Sequence, residues 1–185
     1  MTAKIASFVV ATVLTLGSAQ AFAQAERKDL QVFNDISDQV NRYTQFTIFD
    51  SVDANVKDGI VTLTGRVTMP YKKEEIEKRV AKIDGVRQVL DQIAVLPVSQ
   101  FDDQLRRRIA RAIYSNPNFW NYAIMADPPV HIVVEHSRVT LTGVVQSEVD
   151  RMLAHSIATG QFGVMSVTNN LKTDAEAREA REKAF

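Results

Sequence analysis

The sequence has 185 residues, of which 45% are hydrophobic and 24% are charged, a composition typical of an ordinary globular protein. It contains no cysteine, which excludes disulfides, thiolate metal sites and cysteine nucleophiles. The 22 basic and 22 acidic residues balance, and the lack of a basic excess argues against nucleic acid as the main partner.

The first predicted element is a secretory signal peptide over residues 1–23. A basic N-terminus precedes the apolar run Ile5–Gly17, and a small-residue Ala-x-Ala cleavage pattern ends at Ala23. The run is shorter than the roughly 20 apolar residues that a membrane span needs. We therefore expect export and cleavage after Ala23, giving a periplasmic protein without a membrane anchor.

The rest of the chain contains an internal repeat. The sequence Val-Thr-Leu-Thr-Gly occurs at Val61–Gly65 and again at Val139–Gly143. Self-similarity at a fixed offset indicates duplicated structural units. We predict module 1 over 26–96 and module 2 over 99–172, followed by a charged helical tail over 173–185. Modules of this size bury only part of their surface, so we expect the two to pack on each other.

Hydrophobic periodicity defines the elements of module 1. Apolar spacings of three and four predict a helix over 26–46, and alternation predicts two strands joined at Asp58-Gly59. A second helix begins at Pro70, and a third strand follows Gly85. A strand–helix–strand crossover is right-handed, so the third strand should run parallel to the second. The predicted fold class is α+β, with two tandem α-β-β-α-β modules, each a three-stranded mixed sheet covered on one face by two helices. The apolar stripe of the first helix is Leu30, Phe33, Ile36, Val40 and Tyr43.

Two features of the strands carry further information. Thr62, Thr64 and Arg66 alternate with the apolar residues of the second strand, so we expect them on an exposed polar face. Asp91 and its counterpart Asn169 fall where the alternation requires an apolar residue. A carboxylate in one copy and an amide in the other indicate a hydrogen-bonded turn or bulge at the sheet edge, and argue against a catalytic carboxylate.

Module 2 repeats this order with a different first helix. Ser99 is expected to cap that helix, which carries four arginines. The connection after it is about four residues longer than in module 1 and contains Phe119 and Trp120. The second hairpin turn is predicted at Ser137-Arg138. The inner stripe of the following helix is predicted to be Val149, Met152, Leu153 and Ile157.

These motifs resemble those of the BON domain family of small bacterial modules. The repeated Val-Thr-Leu-Thr-Gly and the Gly-Val-x-x-Val that begins at Gly85 and Gly163 carry the resemblance. The glycines are structural positions, with Gly65 and Gly143 ending strands and Gly85 and Gly163 terminating helices. The resemblance implies a non-enzymatic module that binds phospholipid membranes or envelope components. It also links tandem members to osmotic or envelope stress and to outer-membrane integrity.

No residue pattern points to an enzyme, a cofactor or a metal. The three histidines, His131, His136 and His155, do not converge from one strand face, whereas a zinc site needs three or four converging ligands. The sequence also lacks a nucleophile elbow and a glycine-rich phosphate loop.

The candidate site lies where the two copies differ. Arginines near a charged membrane attract anionic head groups by roughly 1 kcal/mol each, and aromatic residues suit the water–lipid boundary. Two alternatives stay open: the arginines form an ordinary solvated helix face, and the aromatic pair fills the interface between the modules. The candidate membrane-binding residues are Arg106, Arg107, Arg108, Arg111, Phe119 and Trp120.

We therefore predict a periplasmic protein whose first module supports the second, while the second binds an anionic membrane surface and helps to maintain the envelope. The alternative is an adaptor that binds another envelope protein through the exposed sheet face or the charged tail. A chaperone-like stress protein is a third interpretation.

Overall fold

The computed structural model describes residues 17–184. Residues 1–16 of the predicted signal peptide lie outside the described residues. Its last part, residues 17–23, belongs to the first helix. Module 1 comprises α1 (Gly17–Asn41), β1 (Ser51–Lys57), β2 (Ile60–Val67), α2 (Pro70–Val80) and β3 (Gln88–Val95). Module 2 comprises α3 (Gln100–Tyr114), a 3-10 turn (Pro117–Phe119), α4 (Trp120–Ala123), β4 (Val130–Glu135), β5 (Arg138–Val145), α5 (Glu148–Thr159) and β6 (Ser166–Thr173), and α6 (Asp174–Ala184) follows it.

Each module contains one three-stranded sheet with its strands in chain order. β1 pairs antiparallel with β2, which pairs parallel with β3, and β4, β5 and β6 are arranged in the same way. The registers also agree, because Val61 pairs with Val89 in module 1 and Val139 pairs with Val167 in module 2. The predicted fold class and the parallel third strand are confirmed.

One face of each sheet is buried beneath helices. The predicted stripe is correct at Ile36, Val40 and Tyr43, although Tyr43 lies just beyond the end of α1. Leu30 and Phe33 are only half-buried, because the helix presents Val32 to the sheet instead. The buried faces of α1 and α3 correspond residue by residue when Val32 is aligned with Leu105, and this helix alignment defines equivalent positions below. The equivalent buried pairs are Val32/Leu105, Ile36/Ile109 and Val40/Ile113.

A carboxylate from α1 holds the turn of the first hairpin. Asp29 accepts hydrogen bonds from the backbone N–H groups of Asp58 at 2.8 Å and Gly59 at 3.1 Å. Both turn residues have positive φ angles, 51° and 72°. Two consecutive left-handed residues are what a type I′ hairpin turn requires, so the predicted tight turn is present.

The second hairpin has the same turn without a glycine. Asp102 of α3 accepts hydrogen bonds from the N–H groups of His136 and Ser137, both at 2.9 Å. These two residues have φ angles of 51° and 63°. The predicted turn at Ser137-Arg138 is therefore wrong by one residue, because Arg138 already begins β5. Left-handed backbone geometry is unfavourable for residues with a Cβ atom, and the hydrogen bonds to Asp102 offset this conformational cost.

Gly65 and Gly143 lie inside their strands, two residues before the end, and do not end them as predicted. Each pairs with the residue near the start of the preceding strand, where the two backbones come very close. A Cβ atom at Gly65 would collide with the carbonyl oxygen of Ser51, and one at Gly143 with that of Pro129. The other two signature glycines, Gly85 and Gly163, have positive φ angles in the turns that follow the ends of α2 and α5.

The two residues that break the strand alternation are hydrogen-bonded. The Asp91 carboxylate accepts from the N–H of Ile93 at 2.8 Å, while the Lys73 ammonium donates to the carbonyl of Ile93 at 2.7 Å. In β6 the Asn169 amide oxygen accepts from the N–H of Leu171 at 3.3 Å. Strand pairing continues through both positions, so neither is a bulge.

The modules pack on each other through a segment of module 1, Thr47–Ser51, which we call the docking segment. It lies along the edge of β4, where the N–H of Ile132 donates to the carbonyl of Ile48 at 2.6 Å. Ile48 and Phe49 also pack against the hydrophobic core of module 2. An edge strand of one module is thus partly paired by the other.

Asp50 orders the docking segment from within module 1. Its fully buried carboxylate accepts hydrogen bonds from Lys72 at 2.6 Å and from the N–H and hydroxyl groups of both Thr47 and Thr68. Its backbone carbonyl lies 2.7 Å from Nδ1 of His131 in module 2. Burial raises the pKa of Asp50, but the hydrogen bonds from Lys72 and the threonines outweigh burial and leave that pKa below its ordinary value.

Contact with module 2 also changes the outer face of the first sheet. The Arg66 guanidinium forms an ion pair with Glu135 of β4 at 3.0 Å. The expectation that Thr62, Thr64 and Arg66 are all exposed is correct only for Thr64, because the other two are half-buried. The outer sheet face of module 1 is therefore partly an internal contact.

The charged tail, predicted to be helical, begins with a capping box. The N–H of Thr173 donates to the Glu176 carboxylate at 2.9 Å, and the N–H of Glu176 donates to the Thr173 hydroxyl at 3.3 Å. Arg151 of α5 also pairs with Glu176 at 2.8 Å, so the first turn of α6 is fastened to module 2.

Candidate functional site

The candidate site is built on α3, which begins where the sequence predicts. The N–H of Asp102 donates to the Ser99 hydroxyl at 3.2 Å, and this cap fixes the first turn of the helix. Leu105, Ile109 and Ile113 face the core of module 2. Three of the four arginines consequently point away from the sheet, but the fourth does not.

Arg106 is buried, with only 5% of its surface exposed. Its guanidinium donates to the carbonyl of Val134 at 2.9 Å and forms an ion pair with Asp103. Its helical phase places it beside Leu105 and Ile109, within the buried face. The prediction that Arg106 contacts a membrane is corrected: this side chain holds α3 on β4.

Arg107, Arg108 and Arg111 are exposed. Among residues 17–184, none of the three forms an ion pair within 4.0 Å. Arg108 donates one hydrogen bond, to the carbonyl of Phe162 at 2.7 Å. Their positive charge is therefore not neutralised by neighbouring carboxylates. We call these three residues the arginine face.

The arginine face has no counterpart in module 1. In the helix alignment, the positions of Arg108 and Arg111 are occupied in α1 by Asp35 and Asp38, and that of Arg107 by Asn34. The same helix of the same fold thus carries acidic residues in one copy and basic residues in the other. The fold does not require this difference, because the buried faces of the two helices match.

Phe119 is completely buried in the core of module 2. Its ring lies 5.7 Å from that of Tyr122, whose hydroxyl donates to Asp150 at 3.0 Å and accepts from the N–H of Gln146 at 2.7 Å. Burial raises the pKa of the Tyr122 phenol, and Asp150 raises it further, against the bond from Gln146. Phe119 therefore has no exposed surface to offer a membrane, and that interpretation is corrected. It packs instead in the core of module 2, against which Ile48 and Phe49 of the docking segment also pack.

Trp120 is 66% exposed, and two apolar neighbours, Ile124 and Met125, are exposed beside it in the connection that lengthens module 2. The buried Phe119 and Tyr122 anchor α4, so Trp120 projects from a fixed support. Of the two aromatic residues that the sequence singled out, only Trp120 is available to a ligand.

Sequence reasoning missed the exposed apolar residues of α5. The predicted inner stripe is wrong at Val149 and Met152, which are 66% and 64% exposed, because the buried face consists of Ala154 and Ala158. Small residues let the helix pack closely, and the larger ones are left on the outside. The signal was the Ala-x-x-x-Ala spacing, which is weak beside a stripe of larger apolar residues.

A polar cleft of about 380 Å³ lies between the outer face of the second sheet and the start of β1. Hydroxyl and amide side chains of β5 and β6 line it, together with Arg66, Arg138, Asp53 and Glu135. Its two arginines and two carboxylates balance, so the cleft does not select a ligand by charge. This is also the sheet face that an adaptor would use, and module 1 borders it.

The histidines are dispersed: His131 contacts the docking segment, His136 lies in the hairpin turn and His155 lies on α5. Within the described part of the chain, no group of three or more potential ligands is placed to hold a metal ion. Among the same residues, none of the helices combines the length and the apolar character that crossing a membrane requires.

Comparison with known proteins identifies the repeated unit. The model of the BON domain matches the chain twice, at residues 34–97 and 101–175. Curated proteins give no match. Solved structures similar to the chain include the C-terminal domain of CdsD, the structural protein of the type III secretion system of Chlamydia trachomatis. That structure is 13% identical, with a TM-score of 0.28, and the alignment covers 76% of this chain and 96% of that chain. Another CdsD structure from the same organism is 12% identical, with a TM-score of 0.28 and coverage of 84% and 99%. Similarity at this level carries no argument about function.

Proposed function

Because the chain belongs to the BON domain family, whose members are associated with membrane and phospholipid binding, we propose that it binds anionic phospholipid through module 2. The observation that carries the proposal is the arginine face, which is exposed and has no ion-pair partner among the described residues, on the helix that leads into the connection bearing the exposed Trp120. Guanidinium groups attract phosphate head groups, and an indole ring is well placed at the boundary between head groups and acyl chains. BON domains are generally non-catalytic, and we propose a binding role here also.

The charges are sufficient for measurable binding. Three arginines at roughly 1 kcal/mol each correspond to about a hundredfold increase in partition onto an anionic surface. Module 1 would not bind in the same way, since Asp35 and Asp38 replace two of these arginines. Module 1 instead holds module 2 through the docking segment, which gives the two copies different roles.

The proposed location is the periplasm, supported by the N-terminal pattern of a basic residue, an apolar run and Ala-x-Ala. There the protein supports the integrity of the envelope. Expression of the full chain in a bacterium tests the location: we expect the protein in the periplasmic fraction, with an N-terminus at Gln24 by mass spectrometry. Recovery of a protein that still begins at Met1 would contradict the proposed processing.

Vesicle co-sedimentation tests the binding. The exported protein is mixed with vesicles of phosphatidylcholine alone, or of equal parts phosphatidylcholine and phosphatidylglycerol. We expect sedimentation only with the anionic vesicles, weakening as salt increases. Reversing the arginine face (Arg107→Glu, Arg108→Glu, Arg111→Glu) should abolish it.

A matched control separates the site from net charge. Lys57→Glu, Lys78→Glu and Lys82→Glu change the charge of module 1 by the same amount at exposed positions. This variant should retain most of the binding. Equal losses in the two variants would show that the arginine face has no special role, and no sedimentation of the unaltered protein would favour the adaptor alternative.

A further inference from the structure

A second exposed apolar cluster lies at the opposite end of α3 from Trp120. Phe101 is 48% exposed in the first turn of α3, while Phe162 and Met165 are 84% and 74% exposed in the turn between α5 and β6. A Cβ atom at Gly163 would lie 2.7 Å from the Phe101 ring, so this ring packs directly on the glycine backbone. We call Phe101, Phe162 and Met165 the apolar tip.

Two hydrogen bonds hold the apolar tip in place. Arg108 of the arginine face donates to the carbonyl of Phe162 at 2.7 Å. The N–H of Met165 donates to the carbonyl of Ser137, in the second hairpin turn, at 2.9 Å. The tip is therefore supported by α3, by the end of α5 and by the hairpin, and it adjoins the arginine face directly.

Module 1 shows that the fold does not need an apolar cluster here. The equivalent of Phe101 in α1 is Lys28. When the two Val-Thr-Leu-Thr-Gly motifs are aligned, the equivalents of Phe162 and Met165 are Asp84 and Arg87. The corresponding end of module 1 is thus fully charged. Exposed apolar clusters in a globular protein usually mark a contact surface.

We propose that the apolar tip is a second membrane anchor, so that α3 lies parallel to the bilayer plane with both of its ends inserted. This inference rests on the proposed binding of anionic lipid. α3 has 15 residues and is therefore about 22 Å long, and it carries Trp120 beyond one end and the tip at the other. The arginine face lies between the two anchors, at the level of the phosphate groups.

The neighbouring arginines favour a bilayer over a protein as the partner that the apolar tip contacts. An apolar tip that meets an apolar pocket of a protein needs no charge around it. This tip instead contacts Arg108, one of the three exposed arginines of α3. Amphipathic surface elements likewise combine cations with apolar groups that insert below anionic head groups. One surface that is both anionic and apolar, and wide enough to meet both ends of α3, is an anionic bilayer.

The single tryptophan of the chain makes the orientation measurable. The unaltered protein reports on Trp120, and the double variant Trp120→Phe/Phe162→Trp moves the only indole to the apolar tip. Both proteins are bound to phosphatidylcholine–phosphatidylglycerol vesicles whose acyl chains carry bromine near the head group, a quencher of indole fluorescence. We expect strong quenching of both proteins to a similar extent.

The control is Trp120→Phe/Tyr71→Trp, which places the indole at an exposed position on α2 of module 1. Its fluorescence should not be quenched. If the Phe162→Trp protein sediments with the vesicles but is quenched no more than this control, the second anchor is wrong while lipid binding stands. If the unaltered protein does not sediment at all, the proposed function has failed first.

A second variant tests the contribution of the tip to affinity. Phe162→Ser/Met165→Ser removes two exposed apolar groups without touching the core, so folding should be unaffected. We expect the partition onto anionic vesicles to fall about tenfold or more. Met69→Ser, at an exposed site in module 1, should leave it unchanged. Unchanged partition for the double variant, together with loss of self-association in light scattering, would instead assign the tip to a contact between copies.

Discussion

Arg106 and Arg107 are neighbours in sequence, yet the Arg106 guanidinium lies buried against the carbonyl of Val134 while Arg107 faces solvent without an ion-pair partner among the described residues. Two consecutive positions of α3 thus differ in role: Arg106 stabilises the fold, and Arg107 is available to a ligand. The distinction predicts opposite consequences for two substitutions of the same kind.

Arg106→Gln should lower the free energy of unfolding by about 2 kcal/mol, because it removes a charged donor from a buried carbonyl. It should leave vesicle binding by the folded protein unchanged. Arg107→Gln should change stability by less than about 0.5 kcal/mol but lower partition onto anionic vesicles about fivefold. Urea unfolding and co-sedimentation of both variants check this, and the reverse pattern would contradict the assignment.

The ion pair between Asp50 and Lys72 is almost fully shielded from solvent. Lys72→Met should lower the free energy of unfolding by about 3 kcal/mol, because it leaves a buried carboxylate without its counter-charge. Lys78→Met removes an exposed ion pair from the same helix and should cost less than about 0.5 kcal/mol. Urea titration of both variants measures the difference, and comparable effects would show that burial of the pair is unimportant.

Stability should depend on pH through Asp50. Its pKa in the folded protein is depressed, so below the ordinary pKa of aspartate the unfolded chain binds the proton more readily than the folded protein does. The contribution of Asp50 is therefore fully present above the unfolded pKa and is lost as pH falls through the folded pKa.

Urea midpoints measured from neutral pH down to about pH 3 should fall steeply for the unaltered protein. They should fall less for Asp50→Asn, which is less stable at neutral pH but has no proton to bind at this position. Parallel curves for the two proteins would exclude Asp50 as a source of the acid sensitivity.

The second hairpin turn offers a stabilising substitution. Ser137 has a φ angle of 63°, which glycine adopts without a steric penalty. Ser137→Gly keeps the N–H that bonds Asp102, so it should raise the free energy of unfolding by about 1 kcal/mol. Ser115→Gly, at a right-handed helix cap, should not stabilise the protein. Thermal unfolding of both variants tests the claim, and a lower melting temperature for Ser137→Gly would contradict it.

Much of the fold was accessible from the sequence because it depends on local periodicity. The alternation around the two Val-Thr-Leu-Thr-Gly motifs defined the hairpins, and the handedness of crossovers placed β3 parallel to β2. The docking segment was not accessible, since its contacts with β4 join residues that are far apart in the chain and follow no period.

The candidate site was predicted only in part, and the errors concern which side of a helix faces inward. Four nearby arginines are chemically alike, so composition does not distinguish Arg106 from Arg107, whereas the phase relative to Leu105 and Ile109 does. On α5, Ala154 and Ala158 form the buried face because their small side chains allow close packing. Hydrophobicity ranks Val149 and Met152 above them and so points to the wrong face.

Two similar folds in one chain also present two similar open strand edges, which invite strand exchange and aggregation. In β3 the N–H and carbonyl of Ile93 belong to the parity that points away from β2, and they are already occupied by Asp91 and Lys73. In β6 Asn169 occupies the N–H of Leu171 in the same way. An incoming strand therefore finds the outward N–H groups of Ile93 and Leu171 already occupied. We expect the two breaks in the alternation, Asp91 and Asn169, to hinder strand pairing between neighbouring molecules.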